Sequence, residues 1–167
     1  MIWSILGIFL CIVLDQATKY LATTYLAPAG TMPFIPGVME LRYVLNDGAA
    51  FSSFSGATTF LLIFTGVALA ALTVYLFWKK PARRMECAAL VLLIGGGLGN
   101  FIDRLRTGVV VDFFATTFMD FAVFNVADCF VCIGVGLLIL SVFLEEWKAK
   151  KVRVQTSKDD ETGNAEN

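Results

Sequence analysis

The stretch ATTFLLIFTGVALAALTVYLFW, residues 57–78, runs for 22 residues without one charged side chain. A helix needs about 20 predominantly apolar residues to cross the hydrocarbon core of a bilayer, so this stretch predicts a transmembrane helix. Three further runs of similar character lie at about 2–26, 85–104 and 121–144. The sequence therefore predicts a mainly α, polytopic membrane protein with four transmembrane helices.

The composition indicates the same class. The chain has 167 residues, of which 57% are hydrophobic and 16% charged, whereas soluble domains are about 45–50% apolar. We expect one membrane domain over 1–153 and a polar, disordered cytoplasmic tail over 154–167. A cleaved signal peptide is the rival interpretation of the first run, but its start, MIWS, lacks the basic region that such a peptide needs.

The basic residues predict the orientation. One group lies between the second and third runs and another follows the fourth; they are Lys79, Lys80, Arg83 and Arg84, and Lys148, Lys150, Lys151 and Arg153. The positive-inside rule puts both groups in the cytoplasm. Both termini are then cytoplasmic, and the segments 27–56 and 105–120 are outside.

The first outer segment predicts a small β element on the membrane surface. Residues 39–43, MELRY, alternate apolar and charged side chains with the period of a strand, and Asn46-Asp47-Gly48 predicts a turn. The second outer segment and the residues after it carry five phenylalanines, which predict a loop at the membrane interface. These are Phe113, Phe114, Phe118, Phe121 and Phe124.

Within this topology, six charged side chains in or beside the apolar runs converge on the outer leaflet. They are Asp15 and Lys19 in the first run, Asp103 and Arg104 at the end of the third, Asp112 in the second outer segment, and Asp128 early in the fourth. A carboxylate at membrane depth is costly, so it usually marks a functional site. The cluster therefore predicts a site in the outer half of the bundle.

The residue types restrict the chemistry of that site. The chain contains no histidine, which excludes Ser-His-Asp and Cys-His catalysis and removes the commonest zinc ligand. The four cysteines all lie in apolar runs, where a free thiol is typically a small buried hydrophobe. We therefore predict no metal and no cofactor.

Asp112 and Asp128 are the candidate catalytic pair. Two neighbouring carboxylates do not both ionise cheaply, so one holds a proton while the other stays charged. Such a pair activates a water and protonates a leaving amine without a metal. The alternative is that Asp112 is a solvated loop acid and Asp128 a helix N-terminal acid favoured by the macrodipole.

The remaining polar residues each have a structural alternative. Asp15 and Lys19 are spaced i, i+4 and are expected to pair on one helix face; a lysine that activates Ser52, Ser53 or Ser55 is the other interpretation. The glycines at 95, 96, 97 and 99 predict close helix packing. Arg104 is either an interface anchor or a ligand for a carboxylate or carbonyl, and Asn125 is positioned to orient Asp128.

These segments together resemble the lipoprotein signal peptidases, the type II signal peptidases of bacteria. The matching pieces occur in the family's order and cover nearly the whole chain except the tail. They are Asp15-x-x-x-Lys19, Asn46-x-Gly48-Ala49-Ala50-Phe51, Gly95-Gly96-x-x-Gly99-Asn100-x-x-Asp103-Arg104, Gly108-x-Val110-Val111-Asp112-Phe113 and Phe124-Asn125-x-Ala127-Asp128. Two departures, Asp47 for a common threonine and Ala122 for a frequent proline, leave the catalytic positions intact.

The resemblance implies an aspartyl peptidase of the bacterial inner membrane. It implies removal of the signal peptide from diacylglyceryl-modified prolipoproteins, with cleavage just before the lipidated cysteine at the outer face. Asp112 and Asp128 match the family's catalytic aspartates, and the supporting residues map to Asp15, Lys19, Asn46, Gly48, Asn100, Asp103, Arg104 and Asn125. The implied partners are prolipoproteins, membrane lipid and globomycin-type cyclic peptide inhibitors; we expect a monomer and no nucleic-acid partner.

Two other classes stay open on the sequence alone. A proton-coupled transporter also uses acids within the membrane. Such a transporter usually has more than four helices and contains inverted repeats, which this sequence lacks. A structural protein with four spans needs no charged cluster. Inhibition by globomycin-like compounds, as opposed to a flux that depends on a pH gradient, discriminates between these classes.

Overall fold

The computed structural model describes the backbone of residues 1–48 and 56–165, with side chains up to residue 150. Its elements, in chain order, are α1 (Ile2–Ala29), β1 (Thr31–Ile35), β2 (Met39–Asn46), α2 (Thr58–Lys79), α3 (Arg84–Thr107), β3 (Val110–Thr116) and α4 (Val126–Ala165). The last turn of α2 and the turn Ala22–Leu26 of α1 are π-helical.

Four helices of the described chain are long and apolar enough to cross a membrane, which confirms the predicted class. Their outward faces carry large apolar side chains; Trp3 and Trp78, for example, are 80% and 81% exposed in the isolated chain. An apolar surface of this extent is typical of a lipid-facing bundle.

Helix α3 forms the centre of the bundle and packs against each of the other three helices. Its glycines make the close approach possible. A Cβ on Gly99 would lie 2.4 Å from Asp15 Oδ2, and one on Gly96 would lie 2.6 Å from the Ala127 carbonyl oxygen. The prediction that these glycines serve helix packing is therefore confirmed.

The three strands form one antiparallel sheet in the order β1-β2-β3. The prediction of a β element is confirmed, and the element is β2. Residues 110–116, however, form a strand where the sequence predicted a loop. Both faces of this strand are buried, through Val110 and Asp112 on one face and Phe113 and Ala115 on the other. The sequence therefore lacks the apolar and polar alternation that identifies a half-exposed strand.

The fourth helix also differs from its predicted bounds. It begins at Val126 rather than near 121, because Phe124 is paired with β3 through an isolated bridge to Phe114. At its other end the helix continues to Ala165, where the sequence predicted a disordered tail from 154. Residues 144–162 contain neither glycine nor proline, so nothing in the local sequence stops the helix earlier.

The C-terminal ends of α1 and α3, the N-terminal end of α4 and the sheet meet at one end of the bundle, which we call the sheet end. The basic connection between α2 and α3 is at the opposite end. All the candidate site residues lie toward the sheet end.

Candidate active site

A cavity of about 450 Å³ opens between α3, α4, the sheet and the segment before α4. Both candidate catalytic aspartates line it. Its walls are Asn46, Asn100, Arg104, Val110, Asp112, Phe121, Ala122, Val123, Phe124, Asp128, Cys129, Val131 and Cys132. A largely apolar cavity with a few convergent polar groups is typical of a substrate site.

Asp112 enters this cavity from β3. The side chain of Asn46, on β2, donates from Nδ2 to Asp112 Oδ2 at 2.9 Å. Asn46 pairs with Val110, so it is a diagonal cross-strand neighbour of Asp112 on the same face of the sheet. Asp112 is 2% exposed, and burial, with a smaller contribution from the nearby Asp128, raises its pKa to about 6.

Asp128 enters from the first turn of α4, where it forms a capping box with Asn125. The Asp128 N–H donates to Asn125 Oδ1 at 3.0 Å, and the Asn125 N–H donates to Asp128 Oδ2 at 3.0 Å. These reciprocal bonds satisfy two donors at the helix start. Asp128 therefore is an acid at a helix N-terminus, as the alternative interpretation has it, and its carboxylate also lines the cavity.

Two asparagine amides connect the carboxylates. Asn125 Nδ2 donates to Asp112 Oδ1 at 2.6 Å and to Asn100 Oδ1 at 3.1 Å. Asn100 Nδ2 in turn donates to Asp128 Oδ1 at 2.7 Å. The two aspartates therefore belong to one hydrogen-bonded network.

The bridge between β3 and Phe124 brings these groups together. The N–H groups of Phe113 and Phe114 both donate to the Phe124 carbonyl, at 3.0 and 2.8 Å, and the Phe124 N–H donates back to Phe114. Asn125 is the next residue, so the bridge fixes it beside Asp112. The rings of Phe114 and Phe124 pack with their centroids 5.6 Å apart.

Lys19 is the centre of a second, buried polar cluster. Its ammonium lies 2.9 Å from Asp15 Oδ2, 2.9 Å from Asp103 Oδ2 and 2.7 Å from Asn100 Oδ1. The predicted Asp15–Lys19 pair is confirmed. Asp15 also accepts the Ala127 N–H at 3.0 Å, so α1 caps the start of the helix that carries Asp128.

Arg104 lines the cavity with its guanidinium only partly used. Its Nη2 donates to the Gly48 carbonyl at 2.7 Å. Within the described side chains, its buried Nε has no hydrogen-bond partner. A buried donor without a partner is costly, so Arg104 is suited to bind an acceptor that enters the cavity.

The structure brings most of the sequence-predicted residues together. Asp112, Asp128, Asn46, Asn100, Arg104 and Asn125 belong to the cavity or to the network beneath it, Asp15, Lys19 and Asp103 form the adjoining cluster, and Gly48 binds Arg104. The proposed serine partners of Lys19, together with Ala49-Ala50-Phe51, lie outside the described residues. Lys19 itself is fully engaged by two carboxylates and an amide.

Sequence reasoning missed Gln16. Its amide donates to Asp103 Oδ1 at 2.8 Å and to Asp15 Oδ2 at 3.2 Å, so it bridges the two acids that hold Lys19. The signal was present, because a polar amide inside an apolar membrane run is itself unusual. Helical spacing alone does not predict its role, because Gln16 is next to Asp15 in sequence and not three or four residues from it.

Fold and site together define a polytopic membrane enzyme. The chain is similar to a solved bacterial membrane enzyme with a TM-score of 0.82 and 36% identity, covering 87% of this chain and 90% of that one. A second solved bacterial membrane enzyme gives a TM-score of 0.77 at 37% identity, covering 85% and 93% of the two chains.

The family follows from sequence comparison. Residues 7–144 match the family model of signal peptidase (SPase) II. Over 142 residues the chain is 39% identical to the lipoprotein signal peptidase of Streptococcus pyogenes, covering 85% of this chain and 93% of that protein. For the lipoprotein signal peptidase of Lactococcus lactis subsp. cremoris, the identity is 40% over 143 residues, covering 86% and 95%.

The chain therefore belongs to the signal peptidase II family, and its class is that of a multi-pass membrane peptidase. The resemblance seen in the sequence motifs is confirmed. Family membership decides against the transporter and the structural protein as alternatives.

Proposed function

We propose that the protein removes the signal peptide from diacylglyceryl-modified prolipoproteins by aspartyl catalysis, cutting before the lipidated cysteine at the outer face of the bacterial inner membrane. The observation that carries this proposal is the shared network of Asp112 and Asp128. Asn125 binds the first carboxylate, Asn100 binds the second, and the two amides bind each other.

The charge balance supports a shared proton. Four aspartates, Asp15, Asp103, Asp112 and Asp128, surround two cations, Lys19 and Arg104, and the buried site disfavours a large net negative charge. One catalytic carboxyl group therefore holds a proton while the other is ionised. This is the state in which a pair of aspartates activates a water.

Hydrolysis of the peptide bond then proceeds by proton transfers to and from the two aspartates. The ionised aspartate takes a proton from a water, whose oxygen attacks the scissile carbonyl carbon. The protonated aspartate donates to the carbonyl oxygen, which gives a tetrahedral diol. The aspartate that took the water proton then gives it to the amide nitrogen, and the other aspartate takes a proton from one diol hydroxyl. The carbonyl re-forms, the C–N bond breaks, and the signal peptide leaves with a new carboxyl end while the lipidated cysteine keeps a free amine.

The cavity walls support a peptide substrate that enters from the lipid. Phe121, Val123 and Val131 give an apolar lining, and Arg104 is the cation in it. We expect Arg104 to bind a carbonyl of the substrate backbone or the polar part of its lipid. Globomycin-type cyclic peptides and membrane lipid are expected to occupy the same cavity.

The decisive experiment is cleavage of a matched pair of prolipoprotein peptides, lipidated and unlipidated, by the purified protein in detergent. We expect cleavage of the lipidated peptide alone, and its loss in Asp112→Asn and Asp128→Asn with folding retained. Asp120→Asn is the matched control, because Asp120 is an exposed acid of the same segment, outside the cavity. Near-normal cleavage by either catalytic variant contradicts the aspartyl mechanism.

A further inference from the structure

Lys19 does not line the cavity, but the amide of Asn100 links it to the carboxylate of Asp128. Its side chain is 4% exposed, and its ammonium donates to Asn100 Oδ1 at 2.7 Å. Asn100 in turn donates from Nδ2 to Asp128 Oδ1 at 2.7 Å. The path from α1 to the catalytic pair thus has two short hydrogen bonds and one intermediate.

The lysine helps to fix which way the Asn100 amide points. An ammonium group has donors only, so the amide atom that faces Lys19 must be the oxygen. The NH₂ group of Asn100 must then face Asp128. Without Lys19, Asn100 Oδ1 keeps only one of its two donors, Asn125 Nδ2, so the amide is held less firmly in this orientation.

The other end of the network is fixed by the same rule. The backbone N–H of Asp128 is a donor only, so Asn125 must present its oxygen there and its NH₂ group to Asp112 and Asn100. Asn100 Oδ1 therefore accepts from Lys19 and Asn125 together. Both amides have a single orientation that is compatible with all of their partners.

The surroundings of the two aspartates differ in a way that suits different protonation states. Asp128 is partly exposed to the cavity and lies in the first turn of α4, where the macrodipole favours a negative charge. Asp112 is almost completely buried and lies on a strand. Burial raises the pKa of Asp112 to about 6, so this carboxyl group keeps its proton up to a higher pH than a solvated aspartate does.

The charged and titratable groups around Asp128 come from three other elements and from its own helix. They are Asp15 and Lys19 from α1, Asp103 and Arg104 from α3, Asp112 from β3, and the adjacent Cys129. Of the two cations, Lys19 alone is joined to Asp128 by a hydrogen-bonded amide in the described contacts. Arg104 is directed to the Gly48 carbonyl.

We propose that Lys19 is a positioning residue that, through Asn100, keeps Asp128 as the ionised base of the pair and leaves the shared proton on Asp112. This inference rests on the proposed aspartyl mechanism and assigns the roles within it. Asp128 then removes the proton from water, and Asp112 donates to the carbonyl oxygen. Lys19 does not line the cavity, so it acts on Asp128 through Asn100.

The test is the pH dependence of Lys19→Met, which keeps the length of the side chain and removes its charge and donors. We expect kcat to fall about 10- to 100-fold because the base is misoriented, with KM within a factor of about two of the parent value because no substrate contact is lost. The acidic limb of the kcat/KM profile should move about one pH unit higher, since a lost hydrogen bond to a charged group is of that size.

A second variant guards against a failure to fold. Lys19→Met alone leaves Asp15 and Asp103 without their cation, which is strongly destabilising in a buried site. The double variant Lys19→Met/Asp103→Asn removes one positive and one negative charge, so the net charge of the cluster is unchanged. We expect it to fold, as judged by thermal unfolding in detergent, and to show the same shift of the acidic limb.

The outcomes separate two failures. A folded double variant with reduced kcat and an unmoved acidic limb, or with raised KM and normal kcat, overturns the role of Lys19 and leaves the aspartyl peptidase intact. A parent protein that does not cleave the lipidated peptide, or that cleaves it equally well without either aspartate, overturns the proposed function itself and the role of Lys19 with it.

Discussion

Asn125 is the residue on which the geometry of both carboxylates depends. Its oxygen caps α4 by accepting the Asp128 N–H, and its nitrogen binds Asp112. The side chain is fully buried, so none of these bonds is replaced by water. A single amide thus combines a structural role in the helix with a role in the site.

Two substitutions of Asn125 separate these roles. Asn125→Ser keeps a capping oxygen, so we expect thermal stability close to that of the parent, while loss of the donor to Asp112 reduces kcat about 100-fold. Asn125→Ala loses the cap as well, and its free energy of unfolding should fall by a further ~1 kcal/mol. Denaturation and cleavage assays on both variants check this; a serine variant with most of the parent activity would contradict the role of the amide.

The pKa of Asp112 predicts the alkaline limb of the activity. If Asp112 carries the shared proton, kcat/KM falls as the pH rises through its pKa of about 6, because the acid is then lost. The alkaline limb of the kcat profile should lie at a higher pH than that of kcat/KM, because a bound substrate buries the carboxyl group further and raises its pKa. Initial rates over a pH series test both; a limb at the same pH in both profiles would count against Asp112 as the acid.

At the level of elements, the sequence predicted the four helices and β2 but not β1, β3 or the junction between β3 and α4. The runs 57–78 and 85–104 are continuous and end in basic or turn residues, so both are recognisable as helices from the sequence. β3 was missed because both of its faces are buried. The start of α4 was placed too early because FAVFN is as apolar as the helix that follows, and only the bridge to Phe114 separates them.

The acids of the candidate site could be predicted from the sequence, but the hydrogen bonds that join them could not. Asp15, Asp112 and Asp128 are conspicuous in apolar surroundings, and helical spacing predicted the pair with Lys19. The hydrogen bond from Asn100 to Asp128 joins α3 to α4 and depends on how far apart those helices lie. That spacing is set by glycine contacts whose atomic detail no periodicity encodes.

Gly99 offers a direct test of how helix spacing supports the site. In Gly99→Ala the new methyl group would meet Asp15 Oδ2 at 2.4 Å, so either α1 shifts or the Asp15–Lys19 pair is displaced. We expect a loss of about 1–3 kcal/mol in the free energy of unfolding and a reduced kcat, measured by denaturation and cleavage in detergent.

Gly136→Ala is the matched control for this test. Gly136 lies within α4, and a Cβ there has no neighbour within 4 Å among the described atoms. The substitution should leave activity unchanged and stabilise the helix by up to ~1 kcal/mol, because alanine has the higher helix propensity. Equal effects of the two substitutions would show that close approach at Gly99 is not what matters.

On the scale of the whole molecule, polar chemistry and basic charge lie at opposite ends of the bundle. The sheet end holds the cavity, the hydrogen-bonded network of Asp112 and Asp128, and the Lys19 cluster. The other end holds Lys79, Lys80, Arg83 and Arg84, where Arg83 forms an ion pair with Glu145 of α4. If the substrate is a lipidated precursor cut near the membrane surface, as proposed, a site at one end of the bundle meets the scissile bond without drawing the substrate into water.

This distribution predicts the orientation in the membrane, with the sheet end outside. Two single cysteines test it in a background in which the four native cysteines are replaced by serine or alanine. Phe118→Cys lies at the sheet end, where the parent side chain is 64% exposed, and Lys80→Cys lies in the exposed connection at the basic end. An impermeant maleimide applied to intact cells should label the first at once and the second only after permeabilisation, because the positive-inside rule retains the basic connection in the cytoplasm. Labelling of Lys80→Cys in intact cells, with Phe118→Cys protected, would place the cavity on the cytoplasmic side and remove the outer-face part of the proposal.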